Sequence, residues 1–165
     1  MSDVTTTAPA ATEERRRPRL FPNLAAGERK LVLWIAAIAL VGVGVATYLV
    51  YIHYADIKPI CAAGNGGCEK VQASEYSKLA GIPVADLGLL GYLTILGSLF
   101  IRGDLGRLVG AAVALSGFGF SLYLTYRELF TIEAICQWCV GSAVLMTLLA
   151  ILTTIRLLKA DPDPV

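Results

Sequence analysis

The sequence predicts an all-α integral membrane protein, a bundle of four transmembrane helices with an extracytoplasmic loop that bears a short amphipathic cap helix. Three observations predict it. Hydrophobic residues make up 56% of the 165 residues and charged ones 16%. The mean hydropathy of +0.65 is too apolar for a soluble domain of this size. The apolar residues gather into four runs, each long enough at ~1.5 Å per residue to cross most or all of a hydrocarbon core of ~30 Å. No Lys or Arg interrupts these runs, and none shows the polar face at a 3.6-residue period that a soluble helix carries.

Residues 1–30 are rich in Ala, Thr, Pro and Arg, offer little to pack, and read as a disordered cytoplasmic tail. The first run covers residues 31–54 and follows Arg15-Arg16-Arg17-Pro18-Arg19. It is too long for the core of a cleaved leader and no small-x-small site follows it, so it reads as an uncleaved signal anchor. The loop over residues 55–83 has two halves. The first, with Gly64, Gly66 and Gly67, has no periodicity and is expected to be mobile. The second, residues 69–79, sets Val71, Tyr76 and Leu79 among polar residues and predicts the amphipathic helix, ended by Gly81 and Pro83. The second span is placed at residues 84–101, and Asp86 suits its positive first turn. A tight turn at 102–107 leads to the third span, residues 108–126, whose Gly110, Ser116, Gly117 and Gly119 permit close helix packing. The fourth span covers residues 136–155, the membrane domain closes at 156, and residues 157–165 form a cytoplasmic tail. No internal repeat indicates inverted transporter halves.

Loop charges orient the bundle. With the N-terminus in the cytoplasm, the inside carries the Arg15–Arg19 cluster, Arg29, Lys30, Arg102, Arg107, Arg156 and Lys159. The outside carries only Lys58, Lys70, Lys78 and Arg127, as the positive-inside rule requires. That rule also accounts for the Arg-rich tail without nucleic-acid binding. Both termini are then cytoplasmic, in a multi-pass protein of the cell inner (plasma) membrane. All four cysteines fall on the oxidising, extracytoplasmic side, where disulfides persist.

The cysteines occur only as two close pairs: Cys61 and Cys68 in the first loop, and Cys136-Gln137-Trp138-Cys139 at the start of the fourth run. Thiols at i and i+3 share a helix face. Cys136, at the first turn, meets free backbone N–H groups and the positive helix end, both of which favour a thiolate. Cys139 sits one turn deeper, toward lipid and any apolar oxidant. Cys61 and Cys68 can bridge each other, or either can reach Cys136, since exchange proceeds through a mixed disulfide. On the residues alone three readings stand: an electron relay, two structural disulfides in a non-catalytic tetraspan protein, and zinc binding. The last is weakest, because Cys61 and Cys68 lack knuckle spacing and Cys139 lies deep.

The order of the pairs, the stretch Cys68-Glu69-Lys70-Val71-Gln72-Ala73-Ser74, Gly81-Ile82-Pro83, Gly88 and Gly91-Tyr92 carry a resemblance. Over nearly all of residues 31–155 the chain resembles the vitamin K epoxide reductase family, in its bacterial disulfide-forming branch. The resemblance implies a four-helix bundle around a quinone (menaquinone or ubiquinone), capped by the short helix of the loop. It implies a quinone-dependent oxidoreductase in which Cys139 reduces the quinone, Cys136 is its partner and Cys68 exchanges with Cys136. Cys61 is then the entry point for electrons from an extracytoplasmic thioredoxin-like protein, and Ser74 matches a family serine near the site. Some bacterial members carry the thioredoxin-like domain after the fourth helix. This sequence ends soon after that helix, so a separate polypeptide is expected as the partner. Animal members have a tyrosine where this chain has Ala143, so plain quinone reduction is favoured over epoxide reduction.

Further candidates carry two readings each. Tyr92 and Trp138 suit a quinone pocket or an interfacial belt, and Tyr123 and Tyr126 suit the belt. Asp86 is a candidate proton donor to the quinone, although the helix end explains it more simply. His53 reads as an interfacial residue. No metal site is expected.

Overall fold

The computed structural model describes residues 26–61, 67–79, 81–101 and 103–159. Most of the expected N-terminal tail, the glycine stretch around Gly64 and Gly66, Arg102 of the tight turn and the end of the C-terminal tail lie outside the described residues. Four long helices are present: α1 (Ala26–Tyr54), α3 (Val84–Ser98), α4 (Asp104–Arg127) and α5 (Gln137–Leu158). Helix α2 (Gly67–Gln72) is a short piece between α1 and α3. By length and composition, α1, α4 with the turn that follows it, and α5 can cross a membrane, whereas α3, at 15 residues, is apolar but shorter.

The helix ends follow local chemistry. Helix α1 begins at Ala26, ahead of the apolar run, with Glu28 in its first turn against the positive helix end. It stops where Asp56 adopts a left-handed conformation (φ 53°) and the Ile57 amide donates back to the Ile52 carbonyl at 3.1 Å. Pro83 precedes α3, where its missing N–H is no loss. Helix α3 ends three residues before its apolar run does, as the Leu99 and Phe100 amides turn back onto Leu96 and Gly97. Gly103 (φ 84°) opens α4 at Asp104, inside the stretch expected as a turn.

The loop between α1 and α3 differs from its expected form. Instead of one helix over residues 69–79, α2 runs from Gly67 to Gln72 and a 3₁₀ turn follows at Glu75–Ser77. Strand β1 (Lys78–Leu79) then pairs antiparallel with β2 (Ile82–Pro83) through Gly81 (φ 85°). At Ser74 the chain leaves the helical conformation (φ −70°, ψ 155°), and its hydroxyl donates to the Val71 carbonyl at 2.7 Å.

The long helices form a ring in which α1 packs on α3 and α5, and α4 packs on α3 and α5. The shared core holds Ile35, Ala39, Ala46, Tyr92, Ile95, Ala114, Met146, Leu149 and Ala150. Large apolar side chains such as Leu40, Leu90, Leu93, Leu122 and Ile151 point outward, the reverse of a soluble bundle. These surfaces make the chain a membrane protein. Tyr92 crosses the ring from α3 and is fully buried, with its hydroxyl 2.8 Å from the Ser142 hydroxyl and 3.1 Å from the Ser142 carbonyl of α5. Its ring fills the space where a Cβ on Gly42 would stand, so α1 and α3 approach closely only because residue 42 is glycine.

A Gly42→Ala protein is therefore expected to lose about 1–3 kcal/mol through overpacking against the Tyr92 ring. Unfolding in detergent, followed by circular dichroism, measures this. A transition unchanged from the parent would show that the ring can yield.

Candidate active site

Cys136 precedes the first turn of α5 in an extended conformation (φ −97°, ψ 112°), and the helix proper starts one residue later than the run suggested. Its side chain is fully buried, in a cluster with Cys68 and Val71 of α2 and with Ile132. Cys61, Trp138 and Cys139 pack against the same cluster. All four cysteines thus meet at one end of the bundle. Cys61 and Cys68 form a disulfide across a Cα–Cα distance of 6.3 Å, and Cys136 and Cys139 are free thiols. Helix α2 is pressed onto the approach to α5, since a Cβ on Gly67 would stand 2.6 Å from the Ile135 carbonyl oxygen.

The chemistry of Cys136 follows from that position. The Cys139 thiol donates to its sulfur and holds it below the usual thiol range, with help from the backbone N–H groups of Cys139 and Trp138. Burial and the nearby Glu128 carboxyl oppose this. The Cys136 amide donates to Oε2 of Glu128 at 3.3 Å. Glu128 begins a π-helical turn, Glu128–Ile132, that extends α4 and ends at Glu133 in a left-handed conformation (φ 51°).

Cys139 lines a cavity of about 470 Å³ enclosed by the four long helices and roofed by residues of the loop. Its walls are mostly apolar, with Leu49 from α1, Leu87 from α3, Leu124 from α4 and Met146 from α5. Gly88, Gly91 and Gly117 keep its middle open, and a Cβ on Gly117 would stand 3.0 Å from the Met146 thioether. Polar groups sit at the Cys139 end, among them Ser74, His53, Arg127 and Glu128. Such a volume, apolar with a few convergent polar groups, suits a small hydrophobic ligand.

A protein-family comparison matches residues 33–154 to the vitamin K epoxide reductase family. The chain belongs to that family. It is accordingly a membrane oxidoreductase by descent, of a kind that is quinone-linked in general.

In this family member Ser74 is on the cavity wall, and so is Ala143. The other candidates for ligand binding lie elsewhere. Tyr92 is spent on the Ser142 contact within the core. Asp86 accepts from the Tyr54 hydroxyl at 2.9 Å, which ties the start of α3 to the end of α1. Trp138 turns toward the loop: its indole N–H donates to the Ile60 carbonyl at 2.9 Å, and its ring lies 4.8 Å from that of Tyr48. The Ile60 amide in turn donates to the Tyr48 hydroxyl at 3.2 Å. The residue just before Cys61 is thus held through both of its backbone polar groups. Tyr123 and Tyr126 stay outside, and the Arg127 guanidinium lies over the rings of Tyr76 and Tyr123.

Sequence reasoning missed Glu128, Tyr48 and the clamp on Ile60. A carboxylate two residues beyond an apolar run reads as a surface residue, and only the π-helical turn buries it. His53, read as interfacial, also reaches the cavity.

Two outcomes test this geometry. In a Cys61→Ala/Cys139→Ala background, mild oxidation is expected to link Cys68 to Cys136, and adding Gly67→Ala should cut the yield several-fold by pushing α2 off the Ile135 carbonyl. Peptide mass spectrometry reads the yield, and an equal yield would show that this contact does not hold α2. In a pH titration of thiolate ultraviolet absorbance, Cys136 is expected to ionise below an ordinary cysteine. Cys139→Ala removes the leading donor and leaves the burial, so the midpoint should rise. A midpoint that stays put would mean that Cys139 does not tune Cys136.

Proposed function

We propose that the protein is a membrane thiol–quinone oxidoreductase that makes disulfides. Two electrons enter from an extracytoplasmic thioredoxin-like dithiol at the Cys61–Cys68 bridge, pass to Cys136–Cys139, and leave to a quinone. The observation that carries this reading is the packing of Cys68 against Cys136 in one buried cluster, with Cys139 on the wall of the apolar cavity. One pair bridged and the other free corresponds to the stage at which electrons have moved inward and await the acceptor.

The chain supplies each part of that sequence. The lowered thiol of Cys136 makes it a good leaving group and a ready nucleophile at neutral pH. Cys68 is its exchange partner, because exchange needs sulfurs in contact. Cys61, half-exposed beside the Trp138 clamp, is the position that an outside thiol reaches. Leu49, Leu87, Leu124 and Met146 would hold the quinone ring and exclude water, and Ser74 would place a hydroxyl at the Cys139 end. A bound quinone, menaquinone or ubiquinone, supplies a two-electron, two-proton acceptor. Ala143 leaves open the wall where animal members carry a tyrosine, which favours quinone over epoxide reduction.

We read α3 as a fourth span, its apolar stretch continued by Leu99, Phe100 and Ile101 beyond the helix end. Four spans bring both ends of the domain to the cytoplasmic side of the inner membrane, where the cationic residues gather, and leave the cysteines outside.

Purified protein supplied with quinone and a reduced thioredoxin-like substrate is expected to bleach the quinone absorbance. Cys139→Ala should abolish turnover. Cys61→Ala should block oxidation of the protein substrate and leave turnover with a small dithiol. If Cys136→Ala and Cys139→Ala proteins both turn over normally, the relay is wrong and two structural disulfides in a non-catalytic protein are the better description.

A further inference from the structure

Glu128 is a buried carboxyl at the joint between α4 and α5. It is 4% exposed, and among the described residues no Lys, Arg or His forms an ion pair with it. Its neighbour Arg127 is directed away, onto Tyr76 and Tyr123. A buried carboxyl without a cation is costly unless its oxygens are occupied or it carries a proton. Its Oε2 accepts the Cys136 amide, and the carboxyl lies within hydrogen-bond reach of the Cys139 thiol. Glu128 and Cys139 also line the same cavity. It is therefore the acid–base group in contact with the thiol that must gain and lose a proton in every cycle. The other titratable and charged groups around it are Cys136, whose amide it accepts, and Arg127, Tyr76 and His53, which line the same cavity.

We propose that Glu128 is the proton carrier of the Cys139 thiol. This inference rests on the relay proposed above. When Cys136 and Cys139 are bridged, the Glu128 carboxyl holds a proton. The Cys68 thiolate attacks the Cys136 sulfur, forming Cys68–Cys136 and breaking Cys136–Cys139. The electron pair of the broken bond stays on the Cys139 sulfur, which takes the proton from Glu128 and leaves a carboxylate. The Cys61 thiolate then displaces Cys136 from Cys68. Cys61 and Cys68 are oxidised to a bridge, Cys136 leaves as a thiolate that accepts from the newly formed Cys139 thiol, and two electrons have moved inward. When quinone oxidises the inner pair again, the two electrons pass to the quinone, which takes its two protons from water, and the Cys139 proton returns to Glu128. The bridged outer pair, the free inner thiols and the Cys136 amide on Glu128 are the arrangement this sequence leaves after the inward transfer.

The test opens the Cys136–Cys139 bridge with dithiothreitol in full-length protein in detergent, without quinone, and follows the rate against pH. Glu128→Gln keeps an oxygen for the Cys136 amide but cannot deliver a proton. It is expected to slow the opening by about 10²–10⁴-fold and to flatten the pH profile. Glu128→Asp should recover much of the rate. A Gln protein with the parent's rate and pH profile overturns the proposal. Should the Gln protein fail to fold, infrared difference spectra of the unaltered protein labelled with ¹³C-glutamate decide. A protonated-carboxyl band that disappears on reduction supports the carrier, and no glutamate band change overturns it. A protein that passes these tests but never bleaches quinone would sink the quinone reading and leave the proton carrier standing.

Discussion

The first turn of α5 is the constraint to which the upper end of the molecule answers. A helix start leaves backbone donors without partners, and here that start is buried beneath a loop instead of facing water. The Cys136 amide goes to Glu128, and the amides of Trp138 and Cys139 lie near the Cys136 sulfur. Because these donors are satisfied by sulfur and carboxylate, the same geometry that permits burial also sets the chemistry of the thiol. The π-helical turn at this joint begins at Glu128, which α4 delivers buried beside the start of α5.

Below the joint, packing does two opposed tasks. The helices touch closely where Gly42 admits the Tyr92 ring, which seals the middle of the ring of helices through Ser142. Nearer the cysteines they stand apart, because Gly88, Gly91 and Gly117 bring no side chains into the space. A drier, denser packing there would add stability and remove room for a ligand.

Much of this was legible in the sequence, and for stated reasons. Apolar runs without Lys or Arg became the four long helices, three of them long enough to cross a membrane, because lipid exposes every face of a helix to the same solvent. The cysteine spacing placed Cys136 and Cys139 together at the start of α5, although Cys136 stands just before the helix in an extended conformation. The loop was harder. Val71 and Tyr76 share a helical pattern on paper, but the extended backbone at Ser74 divides the segment. The sequence left Trp138 between a pocket and an interfacial belt. An aromatic residue beside a thiol fits a pocket by composition, and only the position of the Ile60 carbonyl shows that the ring serves the loop. Burial of Glu128 depends on an extra residue in one helical turn, which no periodicity reveals.

The hold on Ile60 has a consequence for rate. With its amide on Tyr48 and its carbonyl on Trp138, the chain enters the Cys61–Cys68 segment from a fixed point. The far end of that segment is set against Ile135. Six residues separate the two cysteines, so in the proposed relay either sulfur explores only a small volume around Cys136. Such confinement corresponds to local concentrations on the order of millimolar or above. A thiol arriving from outside is diluted through the whole compartment and must find Cys61 by diffusion. Traffic through the protein is then paced by the arrival of its partner and by the exit of its electrons, and the exchange between its own cysteines runs ahead of both.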